Sequence, residues 1–444
     1  MTMITPSSAM GMSSTFEFER VITKAVEDRV IPGVVLLAEN SSGSYHYEKV
    51  LGYSSIEAGN EKKLERDSVF TFMSMTKFIT AIVAMQAVER GLWDLDADVA
   101  PLLPELAALP VLKGFSDDGV PELVPRESAI TLRQLLSHTS GAAYDFLSPD
   151  LINYHAWVRK QPPSAGLEQP PAMTVAPPSV EERFRFPLVF QPGQGWQYGS
   201  SLDWVGRLVE RLDAKTQGKT EKEAGTKLPS VPLEEIVIRD VLTPLGLPAG
   251  ALTFSPERYP DVFARMWPSL PVRVGNNGAL DGGPVVHGPS VYKKAPAALG
   301  GQGMYGDMPS FFKVALSIFR DDGKLLKPES TKLFFEPQLA SEAAHAGIMH
   351  GTENSGWITG DVPDTKEYDW SVAGLLVTGD SHPFRKRGAV LWAGAINLTW
   401  IIDKEADVCA VFGSNYQPPG DQQGKALMRQ WEEFVYPQAK TAKL

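Results

Sequence analysis

The strand-forming runs of this chain lie at its two ends, and that placement constrains the fold more than any other feature. Near the N-terminus, VVLLAEN, the turn SSGS and YHYEKVLGY read as a β-hairpin. Far downstream, WSVAGLLVTGD, GAVLWAGAI, LTWIID and DVCAVFGSN follow one another as alternating apolar runs. Lone strands leave backbone groups unpaired and one face unburied, so the two sets must meet. One sheet assembled from both ends, with a helical lobe inserted between, satisfies both needs. Residues 13–90 and 300–444 are expected to form the sheet-containing lobe, and residues 91–299 the helical lobe with long loops.

The helical signals agree. FEFERVITKAVEDRVIPG reads as an amphipathic helix closed by Pro32-Gly33. From Ser74 to Gly91, Phe78, Ile79, Ile82, Val83 and Ala87 recur at helical spacing, with Gly91 as C-cap. ITLRQLLSHTSG is expected to be a helix with a Thr cap and a Gly stop, and LDWVGRLVERLD another. Residues 161–178 carry three Pro-Pro pairs, residues 213–230 are rich in Lys, Gly and Thr, and residues 271–303 in Gly and Pro. Loops this long are functional lids or disordered insertions. The opening MTMIT resembles the leader that cloning vectors add from β-galactosidase, and residues 1–12 are set aside as vector-derived.

Composition excludes several function classes. With 43% hydrophobic and 21% charged residues the chain reads as a soluble globular protein with a sizeable core. A net charge of -11 argues against nucleic acid, whose phosphates need a basic face. No run of about eighteen apolar residues is present, so no membrane span is expected. The single cysteine, Cys409, can form no internal disulfide and sits in an apolar strand-like run. A cytoplasmic location is the default, and the sequence is silent on oligomeric state. No metal and no cofactor are expected, because no helical His pair stands four apart, no Gly-x-Gly-x-x-Gly follows a strand and no full Gly-x-x-x-x-Gly-Lys-Ser/Thr phosphate-binding loop occurs. Gly-x-Ser-x-Gly is also missing.

What remains is Ser-x-x-Lys. Positions i and i+3 share a helix face, so the amine can meet the hydroxyl and take its proton. The pattern occurs three times, at Ser74/Lys77, Ser290/Lys293 and Ser310/Lys313. Ser290 lies in a Gly/Pro-rich loop that would hold no pair together. Ser310 opens a helix after Pro309 and competes with Ser74. Ser74, however, follows the strand-like SVFTF and would sit where a helix N-terminus favours negative charge. An ordinary lysine, near pKa ~10.4, is a poor base at neutral pH and needs help. Tyr198, in the Gly-rich loop of GQGWQYGSSLDW, could share the work, although packing alone would also explain it. His138, at the end of LLSHTSG, reads as structural, bonded to end-of-helix carbonyls.

Taken as a set and in order, SMTK, LLSHTSG, YGS, GGQGMYG and a late LWAG resemble the class C β-lactamase and D,D-peptidase superfamily. Within it the chain is similar to family VIII carboxylesterases and to fungal statin acyltransferases and esterases. LPVLKGFSDDGV, ITLRQLLSHTSG and YGSSLDWVGRLVER carry the closer match. The resemblance implies one β-lactamase/transpeptidase-like catalytic domain, a mainly antiparallel sheet flanked by helices plus a helical lobe, with the site between. It implies an ester hydrolase acting on a small-molecule substrate, with acyl transfer to a bulky alcohol, weak lactamase activity and non-catalytic binding as alternatives. Ser74 would be the acylated nucleophile, Lys77 its base, and Tyr198 the shared base and acid. The N–H groups of Ser74 and Ala395 would form the oxyanion hole. Substrate contacts are expected at Trp392, Gly394, Ser200 and Tyr144. Ser310 becomes a helix-capping serine. Two departures stand out: Ser200 replaces the Asn of Tyr-x-Asn, and Trp392-Ala393-Gly394 replaces Lys-Thr-Gly. Without that lysine, neutral esters are expected to be favoured over lactams.

Overall fold

The computed structural model describes residues 6–162, 179–219, 228–275, 278–280, 285–287, 298–354, 356 and 358–441. The two ends of the chain do build one sheet. Its eight strands run in the order Tyr368–Trp370, Leu375–Val377, Val390–Gly394, Leu398–Asp403, Val408–Gly413, Gly33–Glu39, His46–Ser55 and Lys62–Lys63, every pairing antiparallel. The seam between the ends is the pairing of Val35 with Gly413 through Glu39 with Cys409. Both seam strands are almost wholly buried. That explains why their sequences are near-continuously apolar, so that Val408–Gly413, expected as an alternating run, is instead covered on both faces. The covers are the helix Met308–Arg320 and the terminal helices Pro6–Glu27 and Gln422–Thr441. Phe18 of the first terminal helix stacks on Phe434 of the last, with ring centroids 4.6 Å apart. The first of these helices starts at Pro6, inside the segment set aside as leader.

The helix Thr76–Glu89 runs through the centre. It is buried from Thr76 to Ala87, which fits a helix that is apolar all round rather than on one stripe. Phe78 meets Trp400 of the sheet at 4.6 Å. On another side lies the helix Ser201–Thr216, at the start of the helical lobe's packing. Gly91 follows Arg90, with φ 66°, as a C-cap glycine should.

Several local expectations change. ITLRQLLSHTSG yields only the helix Leu132–Leu136, opened by a capping box between Thr131 and Gln134. It stops early because His138, not Gly141, makes the first turn into positive φ, at 58°. The helix after Pro309 is capped by Asp307, whose carboxylate accepts the Ser310 N–H at 2.7 Å. Ser310 is therefore inside the first turn and is not the cap. The stretch 213–230 begins within the helix Ser201–Thr216. Residues 163–178, 220–227 and 288–297, hence most of the Pro-rich loop and the Ser290/Lys293 pair, lie outside the described residues. No helix among the described residues is long and apolar enough to cross a membrane.

Candidate active site

A second, three-stranded sheet delivers Ser74. The strand Val69–Thr71 pairs with Tyr305–Asp307, which also pairs with Leu252–Thr253. From Thr71 the chain turns sharply. Met73 takes φ 48°, a left-handed conformation that costs a non-glycine residue about 1–3 kcal/mol. Ser74 then lies in the 3₁₀ turn Met73–Met75, and the α-helix proper begins at Thr76. The turn is held in place: Phe72 N–H donates to the Met304 carbonyl at 2.9 Å, and the Thr76 hydroxyl donates to the Met73 carbonyl at 2.6 Å. The end of the strand Val390–Gly394 presses against the same turn. A Cβ on Gly394 would stand 2.4 Å from the Phe72 carbonyl oxygen, so only glycine permits this approach, which sets Ala395 and Ser74 on the lining of one pocket.

Lys77 is buried, at 2% exposure. Its Nζ donates to the Gly301 carbonyl at 2.7 Å and to the Tyr144 hydroxyl at 3.1 Å, and lies 3.4 Å from Ser74 Oγ. It also sits 4.6 Å above the centre of the Tyr198 ring. Burial disfavours the ammonium and pulls its pKa down to about 7, against the opposing charge of Asp203. Tyr198 is bonded to the Ser74 side chain and accepts the Trp392 indole N–H at 3.0 Å. Burial pushes its phenol above the usual range, and those two hydrogen bonds oppose the shift. The His138 ring packs at a tilt against the Tyr198 ring, centroids 4.7 Å apart, and accepts the Gly199 N–H on Nδ1 at 3.3 Å. The ring thus orients the Tyr198 loop and does not bond end-of-helix carbonyls; only the His138 backbone N–H does, reaching the Leu135 oxygen at 3.3 Å. Burial, then the Lys77 charge, keep the ring neutral.

These groups open onto one pocket. Its lining includes Ser74, Tyr144, Tyr198, Trp392, Gly394 and Ala395, with Met73, Phe146, Leu147, Ile358 and Pro419 supplying apolar wall. The residues singled out from sequence are therefore brought together, with one exception. Ser200 is buried, its hydroxyl donates at 3.4 Å to the carbonyls of Ala142 and Ala143, and it does not line the pocket. A Cβ on its neighbour Gly199 would stand 2.2 Å from the Ala142 oxygen, so this turn is locked onto that segment. Ser200 serves the loop, not a substrate. Tyr144 lines the pocket and also reaches back to Lys77.

Sequence reasoning missed Asp203. It is 0% exposed, and its oxygens accept the Gly301 N–H at 2.9 Å and the Tyr144 hydroxyl at 3.1 Å. Burial raises its pKa while Lys77 lowers it. One signal was available: a carboxylate in the first turn of LDWVGRLVERLD, flanked by Leu202, Trp204 and Val205 on a helix predicted to pack inward.

The β-lactamase family profile matches residues 18–432. Lovastatin esterase from Penicillium rubens is 33% identical over 402 residues, covering 90% of this chain and 91% of its own. Monacolin J acid methylbutanoyltransferase from Aspergillus terreus is 32% identical over 429 residues, covering 95% of each. Among solved structures, simvastatin synthase from Aspergillus terreus superposes with a TM-score of 0.80 at 31% identity, over 96% of this chain and 98% of that one.

Proposed function

The chain belongs to the β-lactamase family, and on that premise we propose that it is a serine ester hydrolase working through an acyl-enzyme on Ser74. The observation that carries the reading is the state of Lys77: buried, its pKa pulled down to about 7, and within 3.4 Å of Ser74 Oγ. A lysine so placed is neutral in a useful fraction at ordinary pH and can take the serine proton as the hydroxyl attacks the ester carbonyl. Tyr198, bonded to Ser74, is suited to pass that proton to the departing alcohol. The backbone N–H groups of Ser74 and Ala395 would receive the oxyanion. Water then releases the acid and returns the enzyme.

Trp392 bears on the substrate class. The ring offers apolar surface and an indole donor already engaged by Tyr198, and no full positive charge to hold a substrate carboxylate. Neutral esters fit such a wall better than penicillins, and Gly394 and Tyr144 line the same pocket. Lovastatin esterase among the relatives supports ester hydrolysis, and the apolar wall of the pocket suits an ester of a bulky apolar alcohol. A second reading, acyl transfer to such an alcohol, is favoured by the apolar pocket and by the methylbutanoyltransferase relative. A cytoplasmic site of action is part of the same reading, supported by a fold whose only cysteine is a buried thiol.

The test is intact-mass and peptide analysis after a quenched reaction with a neutral p-nitrophenyl ester. An acyl adduct on the Ser74 peptide, absent from Ser74→Ala, is expected. An adduct on another residue overturns the assignment. Repeating the reaction with an added alcohol and measuring ester product against free acid separates hydrolysis from transfer.

A further inference from the structure

The Lys77 amine has two good acceptors besides Ser74, and both are held by one carboxylate. Lys77 Nζ meets the Gly301 carbonyl at 2.7 Å and the Tyr144 hydroxyl at 3.1 Å. Asp203 accepts the Gly301 N–H at 2.9 Å on one oxygen and the Tyr144 O–H at 3.1 Å on the other. The contact is tight: a Cβ on Gly301 would stand 2.5 Å from an Asp203 oxygen and 2.9 Å from the Tyr144 oxygen.

A neutral amine carries two N–H bonds and one lone pair. If the two N–H bonds go to Gly301 and Tyr144, the lone pair is left facing Ser74. That arrangement requires Tyr144 to offer oxygen, not its proton, to Lys77. A phenol proton turned toward the amine would occupy the very lone pair that must receive the serine proton. Asp203 prevents this by accepting the Tyr144 proton itself. We infer that Asp203 is a positioning residue of the proposed acylation step, keeping Tyr144 an acceptor toward Lys77 so that the lysine lone pair stays free for Ser74. This rests on the Ser74–Lys77 reading and goes beyond it. The other ionisable groups around the pair are Tyr198, His138 and Arg183, and Arg183 is engaged by Asp145 at 3.0 Å.

Asparagine is the same size but has one acceptor end and one donor end. With its oxygen on the Gly301 N–H, its NH₂ donates to Tyr144, whose proton must then turn to Lys77. Asp203→Asn should lower kcat/KM by ~10²-fold or more, within the range of lost general-base help. Loss of the negative charge disfavours the ammonium, so the acid limb of kcat/KM should also move to lower pH. Tyr144→Phe removes the misdirected proton. Alone it should cost no more than about tenfold; in Tyr144→Phe/Asp203→Asn it should restore activity above that of Asp203→Asn.

kcat/KM for a neutral p-nitrophenyl ester is measured across pH on all four proteins, with thermal unfolding as a check on folding. Recovery in the double variant together with the shifted acid limb supports the inference. A double variant as poor as or poorer than Asp203→Asn overturns it, as does an unshifted limb. If Asp203→Asn does not fold, Tyr144→Phe decides alone: a loss as large as that of Lys77→Ala overturns the inference. The Ser74 adduct measured on the wild-type protein separates the two claims. Its absence overturns the proposed function, whereas its presence without recovery overturns only the role of Asp203.

Discussion

Among the described residues, two helices open with Ser-x-x-Lys, and they grow from neighbouring strands of one small sheet. Val69–Thr71 leads to Ser74, Tyr305–Asp307 leads to Ser310, and the two strands pair with Thr71 opposite Tyr305 and Val69 opposite Asp307. The same four-residue pattern, started from adjacent positions, ends in different chemistry. At the first, a left-handed Met73 throws Ser74 into a 3₁₀ turn on the rim of a pocket, and Lys77 is sealed beneath it. At the second, an ordinary cap at Asp307 starts a regular helix, Ser310 is buried in its first turn, and Lys313 faces solvent. Burial and the surrounding acceptors, not the motif, turn a lysine into a base.

The largest effect expected from this contrast is at the serines. Ser74→Ala should reduce ester turnover by at least ~10⁴-fold, since the nucleophile carries the whole covalent route. Its fold should persist, because the change removes a hydroxyl and no core volume. Ser310→Ala should stay within a few-fold of wild type. Steady-state kinetics on a neutral ester checks both. Comparable losses at the two serines would erase the distinction between the sites.

The lysines come next. Lys77→Ala and Tyr198→Phe should each lower kcat by roughly 10²–10⁴-fold. Lys313→Ala should leave it unchanged. Lys77 and Tyr198 both address the Ser74 proton, so their losses should not multiply. A double variant showing the full product of the single losses would mean that they act on separate steps.

The pH profile sharpens the same point at smaller amplitude. Lys77 can accept a proton only when neutral, and burial pulls its pKa down to about 7. kcat/KM should therefore rise with pH through that region and level off above it. Two pH units below, with one proton controlling the rate, it should be about a hundredfold under the plateau. Lys313→Ala should show the same curve. A profile flat between pH 5 and 8 would remove Lys77 from the role.

How far this was readable from the sequence follows the range of the interactions. The sheet was legible because burial on both faces writes long apolar runs into the seam strands Gly33–Glu39 and Val408–Gly413. The gathering of Ser74, Lys77, Tyr198, Trp392 and Gly394 was legible through resemblance, since their spacing in sequence carries no distance. Asp203 was not, because its partners Tyr144 and Gly301 are 59 and 98 residues away and meet it only in the folded protein. Ser200 was misread for the converse reason. A hydroxyl beside a catalytic candidate looks available, and only the fold reveals the two carbonyls that hold it. Local chemistry also misled at Ser310, where the residue after Pro309 looks like a cap although the cap lies three residues earlier.

That last point yields the smallest effect and a clean test of it. Asp307 has extended backbone geometry, φ -86° and ψ 151°, and its carboxylate accepts the Ser310 N–H at 2.7 Å. An N-cap of this kind contributes about 1 kcal/mol. Asp307→Ala should lose about that much in denaturant unfolding, while Asp307→Asn, an equally good cap, should lose less. Ser310→Ala keeps the N–H that the cap receives and should cost less than Asp307→Ala. Asp307 also ends the strand that pairs with Val69, two positions before the turn into Ser74 begins at Thr71. That pairing is made by backbone groups, so Asp307→Ala should change kcat/KM by no more than about twofold. If Ser310→Ala proves the more destabilising, the cap is the serine after all. If Asp307→Ala instead damages turnover without a matching loss of stability, the two Ser-x-x-Lys helices are coupled through their shared sheet and cannot be treated as one active and one inert copy.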